Sequence, residues 1–185
     1  MKAKIMKAAL DLFTTRGYFN TSVHDIRKAA DVSIGAVYYH FRSKEEIANA
    51  IYNDLLDRMA DTLKGIKKRY GATADRCRAI MEALFEMTEA SPREMEFMLY
   101  AKHREFMVSA VPICSSQPFT MMREIVLEGI EGGELRNLDL TIVTTCIFGA
   151  MFRMINLRLD GVIADPLPEH LQEIWAAGWR SMALR

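Results

Sequence analysis

Apolar residues at Ile5, Ala8, Ala9, Leu12 and Phe13 recur at spacings of three and four, the period of one helical face, and Gly17 stands where such a helix ends. A second short helix is expected in "TSVHDIRKAA". Thr21 or Ser22 serves as its N-cap, Asp25 follows Ser22 by three as in a capping box, and Val23, Ile26 and Ala30 turn inward. Asp31 and Val32 make a tight turn, and Ser33 caps a third helix about seven residues long, roughly 10 Å. Its buried side is Val37 and Phe41, one turn apart. Ser43 with Glu46 then opens a long fourth helix whose stripe of Ile47, Ile51, Leu55, Met59 and Leu63 runs toward Tyr70, with Gly65 as a point for a kink.

Beyond Gly71 the pattern stays helical. Segments are expected at about 75–90, 92–109, 118–131, 138–160 and 168–183, with Ser91, Pro92 and Glu94 starting the second and Gly132, Gly133 and Gly161 acting as stops. No segment alternates as a strand does. The reading is an all-α chain of about nine helices, without repeats or low-complexity linkers.

Composition supports a folded protein, since 50% of the 185 residues are hydrophobic and 26% charged. The start, Met-Lys-Ala-Lys, lacks an apolar signal core and the longest apolar runs are short, so a cytoplasmic location without membrane insertion is expected. Cys77, Cys114 and Cys146 show no paired spacing, which implies buried apolar residues, no metal and no cofactor. The formal net charge is +0, yet residues 1–46 hold eight Lys/Arg against five Asp/Glu and so carry +3, leaving −3 on the remainder. A basic head on an acidic body fits a polyanion-binding module joined to a partner-binding one.

Two short helices joined by a tight turn, with a third in front, have the layout of a helix-turn-helix. Such a motif explains "DVSIGAVYYHF", which has few core-filling residues and many small or hydrogen-bonding ones. Ile34, Gly35, Ala36 and Tyr39 form the outer face of its last helix. The small residues permit close approach to a groove, Ile34 or Ala36 can touch a thymine methyl, and Tyr39, His40 and Lys44 can donate to phosphate.

The run "TSVHDIRKAADVSIGAVYYHFRSKEEI" closely resembles the N-terminal signature of the TetR family of bacterial transcription regulators. That resemblance implies phosphate contacts from Thr21, Ser33, Tyr39, His40 and Lys44, and base-edge contacts near His24, Ile34, Gly35 and Ala36. Tyr38 matches a tyrosine that packs beneath the recognition helix and can also reach the DNA backbone. Asp31 replaces the family's turn glycine, which a left-handed Asp tolerates, and Arg27 replaces an alanine, adding a phosphate contact or a solvated charge. The resemblance further implies a DNA-binding domain at 1–46 and an effector-binding and dimerisation domain at 47–185. The expected partners are a double-stranded DNA operator, a second copy of the chain and a small-molecule effector.

In the body, Ile142, Cys146, Gly149, Arg153 and Asn156 share one helical face, and Leu171, Ile174, Trp175, Gly178 and Met182 another; as a pair they suit a four-helix dimer interface. Thirteen methionines, many among aromatics, suit an apolar effector pocket, for which Met81, Phe85, Tyr100, Met122, Phe148 and Phe152 are candidates. His103 and Arg104 are candidates for an effector carboxylate, with an internal ion pair as the alternative. Enzyme signatures such as H-E-x-x-H, G-x-S-x-G or a phosphate loop are missing, so catalysis is not expected. The competing reading is a constitutive, dimeric DNA-binding or architectural protein without an effector.

Overall fold

The computed structural model describes residues 1–100 and 113–184. It contains α1 (Lys2–Arg16), α2 (Val23–Ala29), α3 (Ile34–His40), α4 (Lys44–Arg69), α5 (Thr73–Ala90), α6 (Pro92–Tyr100), α7 (Gln117–Glu131), α8 (Leu140–Leu159) and α9 (Leu171–Met182), with 3-10 turns at Ile113–Ser115 and Leu167–His170. The only β-pairing among the described residues is an isolated antiparallel bridge between Leu135 and Ala183. The all-α reading holds. Packing divides the chain into two units, Met1–Asp57 with Arg93–Ile113, and Arg58–Pro92 with Cys114–Arg185.

In the first unit, local chemistry sets the helix boundaries. Gly17, at φ 85°, ends α1, and Asp31, at φ 50°, makes the left-handed turn before α3. The Ser22 hydroxyl accepts from the Asp25 amide at 3.1 Å while the Asp25 carboxylate accepts from the Ser22 amide at 2.8 Å, closing the capping box of α2. Ser33 caps α3 through the Ala36 amide at 3.1 Å, and Ser43 caps α4 through the Glu46 amide at 3.2 Å. Ile5, Ala9, Ile26, Val37, Phe41 and Ile47 are buried. Helix α6 joins this unit: Arg93 pairs with Asp11 of α1 at 2.6 Å, and Phe97 stacks on Phe13 at 6.1 Å.

Helix α4 runs as one continuous helix through Gly65. Gly65 is exposed there, with nothing within 4 Å of an added Cβ, so the residue weakens the helix locally without serving a close approach.

The second unit is tied together by three carboxylates. Helix α5 has no side-chain N-cap of its own, and Glu134, from the turn after α7, accepts from the Thr73 amide at 3.1 Å and its hydroxyl at 2.8 Å. Glu128 binds Lys67 at 2.5 Å and Arg76 at 2.7 Å. Glu89 forms a two-pronged pair with Arg158, both contacts 2.9 Å, and also accepts from the Leu167 amide at 3.0 Å. The Arg158 guanidinium holds the Glu89 carboxyl below the usual carboxylate range. Lys67 and Arg76 act similarly on Glu128. Where α8 and α9 cross, a Cβ built on Gly178 would lie 2.9 Å from the Ile147 carbonyl oxygen, so only glycine fits.

Cysteine placement departs from expectation. Cys77 is buried, and desolvation pushes its thiol up to about 12, an inert apolar role. Cys114 is exposed, because its 3-10 turn offers no inward face, and Cys146 is partly exposed.

Candidate DNA-binding site

The outer surface of α3 is polar and open. Tyr39 is 85% exposed and Tyr38 53%, while Val37 behind them is completely buried. Gly35 is exposed, and Ile34, Ala36 and His40 are partly so. His40 meets the Tyr39 ring edge-on at 5.0 Å, which fixes both side chains relative to the helix. Ser33 uses its oxygen to cap the helix and retains its hydroxyl proton for donation. On α2, His24 is exposed and Arg27 half-buried. These side chains leave a narrow helix with a small central face at Gly35 and Ala36, flanked by donors, which is the chemistry a major groove and its phosphates require.

Three expectations need correction. Thr21 is 2% exposed, and its hydroxyl donates to the carbonyls of Gly17 at 2.9 Å and Leu12 at 3.4 Å, so it braces the α1–α2 turn from inside and does not face a phosphate. Tyr38 lies on the outer surface instead of beneath α3, because Val37 and Phe41 already fill the space behind the helix. Lys44 is also turned inward. Its ammonium donates to the Tyr18 and Thr21 carbonyls, both at 2.7 Å, and lies 4.1 Å from the centre of the Tyr18 ring. Desolvation lowers the pKa of this amine, and burial raises that of the Tyr18 phenol.

Tyr18, which the sequence reading did not single out, is the residue that the structure adds to this cluster. An aromatic beside the α1 stop glycine was its only signal. Two further cations flank α3: Arg42 is exposed immediately after it, and Lys2 stands over the Phe41 ring at 5.7 Å.

Of the effector candidates, Met81 and Phe85 are fully buried and Met122 and Phe148 are 2% exposed. All four lie within the packed interior of the body, where adaptable and aromatic side chains pack alike. Phe152 is partly exposed and stacks on Phe119 at 5.2 Å, and Tyr100 is exposed at a helix end. His103 and Arg104 lie outside the described residues. A cavity of about 10 Å³, room for one water, lies between α4 and α5 beside Met59, Ile66, Ile80 and Met87, none of them foreseen.

The dimer candidates divide by burial. Leu171, Gly178 and Met182 are enclosed by their own chain, a correction: α9 turns this stripe onto α8, where Gly178 meets Ile147. Ile142 and Arg153 are exposed, and Cys146, Gly149, Asn156, Ile174 and Trp175 partly so. Trp175 stacks on Trp179 at 5.0 Å. Helix α8 is long and apolar enough to cross a membrane by length and composition, yet only 28% of its most apolar window is buried within the chain.

The capped α2–turn–α3 unit supported by α1 defines a helix-turn-helix DNA-binding protein. Residues 5–51 match the model of the bacterial regulatory proteins of the tetR family. The HTH-type transcriptional repressor KstR2 of Mycolicibacterium smegmatis is 25% identical over 146 residues, covering 76% of this chain and 70% of that protein. A TetR family regulator from Marinobacter aquaeolei superimposes with a TM-score of 0.82 at 20% identity, covering 100% of this chain and 96% of that one. FadR from Bacillus subtilis, in complex with stearoyl-CoA, gives 0.75 at 17% identity, covering 96% and 97%. Residues 5–51 thus carry the DNA-binding module of the bacterial regulatory proteins of the tetR family, on a chain whose fold is that of TetR-family regulators.

Proposed function

We propose that this protein is a repressor that binds a two-fold symmetric operator as a homodimer and leaves it when a small hydrophobic or amphipathic effector binds. Residues 1–46 form the DNA-binding domain and 47–185 the effector-binding and dimerisation domain. The observation that carries the reading is the outer face of α3, where Gly35 and Ala36 lie between the Ser33 cap and the exposed Tyr39–His40 pair while the back of the helix is closed by Val37. Ser33, Tyr39 and His40 hold phosphates, Arg27 adds a cation, and His24, Ile34 and Ala36 face base edges. Tyr38, exposed beside them, is placed to reach the backbone.

Dimerisation is supported by the incomplete burial of α8. A face carrying Ile142, Cys146 and Gly149, with Trp175 on α9, is costly to leave in water, and a second copy covers it symmetrically. A two-fold axis then sets the two α3 helices about 34–36 Å apart to enter successive major grooves. The apolar character of α8 is thereby assigned to the partner and not to lipid.

The effector class is supported by the methionine-rich body and by the stearoyl-CoA bound in the B. subtilis FadR structure, which makes fatty acyl-CoA the first compound to test. Coupling runs through α6, whose Arg93 and Phe97 grip Asp11 and Phe13 of α1: an effector that shifts α6 moves the head and, by linkage, loses affinity when DNA fixes it. The closed packing of Met81, Phe85, Met122 and Phe148 favours a second reading, a constitutive dimeric DNA-binding protein without effector.

Selection of binding sites from a random duplex pool tests the first point. A two-fold symmetric motif is expected; no enrichment would sink DNA recognition by the free protein. Addition of acyl-CoA to the enriched complex separates the two readings, since release supports the repressor and no response to acyl chains of any length supports the constitutive one.

A further inference from the structure

Lys44 stands at the first position of α4, where free backbone amides and an exposed ammonium would suit a DNA phosphate. The structure uses the ammonium differently. Its two bonds go to the carbonyls of Tyr18 and Thr21, residues that bracket the α1–α2 turn, and the Tyr18 ring closes against it at 4.1 Å. Thr21 directly precedes Ser22, the N-cap of α2, and its own amide closes the turn onto Tyr18 at 3.2 Å. Tyr18 in turn packs against Phe13 of α1 at 5.2 Å. One side chain thus joins the starts of α4 and α2 and the end of α1. An ammonium has three donors, and the two short bonds with the ring leave it partly desolvated and directed into the protein.

We propose that Lys44 is a positioning residue of the DNA-binding head: it fixes the α1–α2 turn, and through that turn the docking angle of α2 and α3, without neutralising a DNA phosphate. The inference rests on the DNA-binding reading above. It also predicts that the Tyr18 ring, which closes one side of the seat, contributes to binding through Lys44 and not by touching DNA, while the two carbonyl acceptors stay in place whatever side chain stands at position 18.

The test uses a duplex enriched from a random pool by the unaltered protein, with affinity measured over a salt series well below the unfolding temperature. A cation lost from a phosphate reduces the slope of log affinity against log salt by about 0.9. Lys44→Met is expected to bind about tenfold or more weakly at every salt concentration, with the slope unchanged. Tyr18→Leu, which keeps the Lys44 charge and both carbonyl acceptors and removes only the ring, is expected to show a smaller loss with the slope again unchanged, and the double variant no more loss than Lys44→Met. A slope lower by about 0.9 in Lys44→Met, or unchanged affinity in a folded Tyr18→Leu, overturns the proposal. Unchanged affinity in both variants with only a lower Tm would make the contact merely structural, which also overturns it. Should Lys44→Met fail to fold, Tyr18→Leu decides alone; failure of the unaltered protein to enrich any duplex is a separate result, against the DNA-binding reading itself.

Discussion

Gly178 offers a quantitative check on how α8 and α9 cross. Replacing it by Ala puts a methyl group 2.9 Å from the Ile147 carbonyl oxygen and 3.3 Å from that of Cys146, where ordinary contact begins near 3.4 Å. The helices must separate by roughly half an ångström, because a backbone carbonyl inside α8 cannot rotate away without breaking its own helical bond. Overpacking of this kind costs about 1–3 kcal/mol, and the better helix propensity of Ala returns about 1. The net destabilisation at the upper end of that range is about 2 kcal/mol, or a Tm lower by about 4–8 °C for a chain of this size. Gly65→Ala is the control. Gly65 is an exposed glycine within α4 with nothing within 4 Å of the added methyl, so the same substitution should stabilise by about 0.5–1 kcal/mol. Thermal unfolding of both variants, with sedimentation over a dilution series, reads the result. A Gly178→Ala protein stabilised as much as Gly65→Ala would refute the intrachain crossing, and such a gain with a weakened dimer would return Gly178 to the partner face.

Other outcomes follow from particular contacts. Glu89, whose carboxyl is held below its ordinary 4.5 by Arg158, stabilises the fold fully above that value and loses the contribution as pH falls through the lower folded one. Urea midpoints of Glu89→Gln should therefore be lower at neutral pH and show a shallower acid decline; parallel curves would remove the pair from the stability balance. Glu134→Ala, which strips the external cap from α5, should cost about 0.5–2 kcal/mol by urea unfolding, and no loss would mean water replaces the carboxylate. Substitution of Ala36 should change the preferred operator in site selection, whereas Tyr39→Ala should weaken all sequences alike; an Ala36 variant with unaltered preference would take that residue off the base-reading face.

The legibility of the chain varies with the kind of signal. Ser22–Asp25, Ser33 and Ser43–Glu46 were readable because a cap is local: donor and acceptor lie within three residues, and the spacing states the bond. The left-handed Asp31 was readable for the same reason. Thr21 and Lys44 were not: Thr21 bonds backward to the Gly17 carbonyl at the helix stop and to Leu12, a side chain-to-backbone pattern that residue type does not announce, and the Lys44 partners lie 26 and 23 residues back at Tyr18 and Thr21. A polar side chain near a basic surface motif reads as a surface group until a long-range bond turns it inward.

The body shows the converse limit. Helical periodicity says that Leu171, Gly178 and Met182 share a face and that the face is buried, but the same pattern serves an intrachain helix and a partner's helix equally. What distinguishes them is how much apolar surface a helix leaves uncovered after its own chain has packed, which no local spacing encodes. Gly178 illustrates the point: a small residue that permits close approach was visible, and the helix that approaches it is α8 of the same chain. The face that the described residues leave open carries exposed Ile142 with half-exposed Gly149 and Trp175, and it is the one that the proposed dimer would bury. Methionines behave likewise, because the flexibility that suits Met81 and Met122 to a ligand pocket suits them as well to an irregular core. Burial alone therefore does not separate a core methionine from one that lines a ligand pocket, whereas the Phe119–Phe152 stack, partly open to solvent, is the aromatic pair of the body that an apolar probe can reach directly.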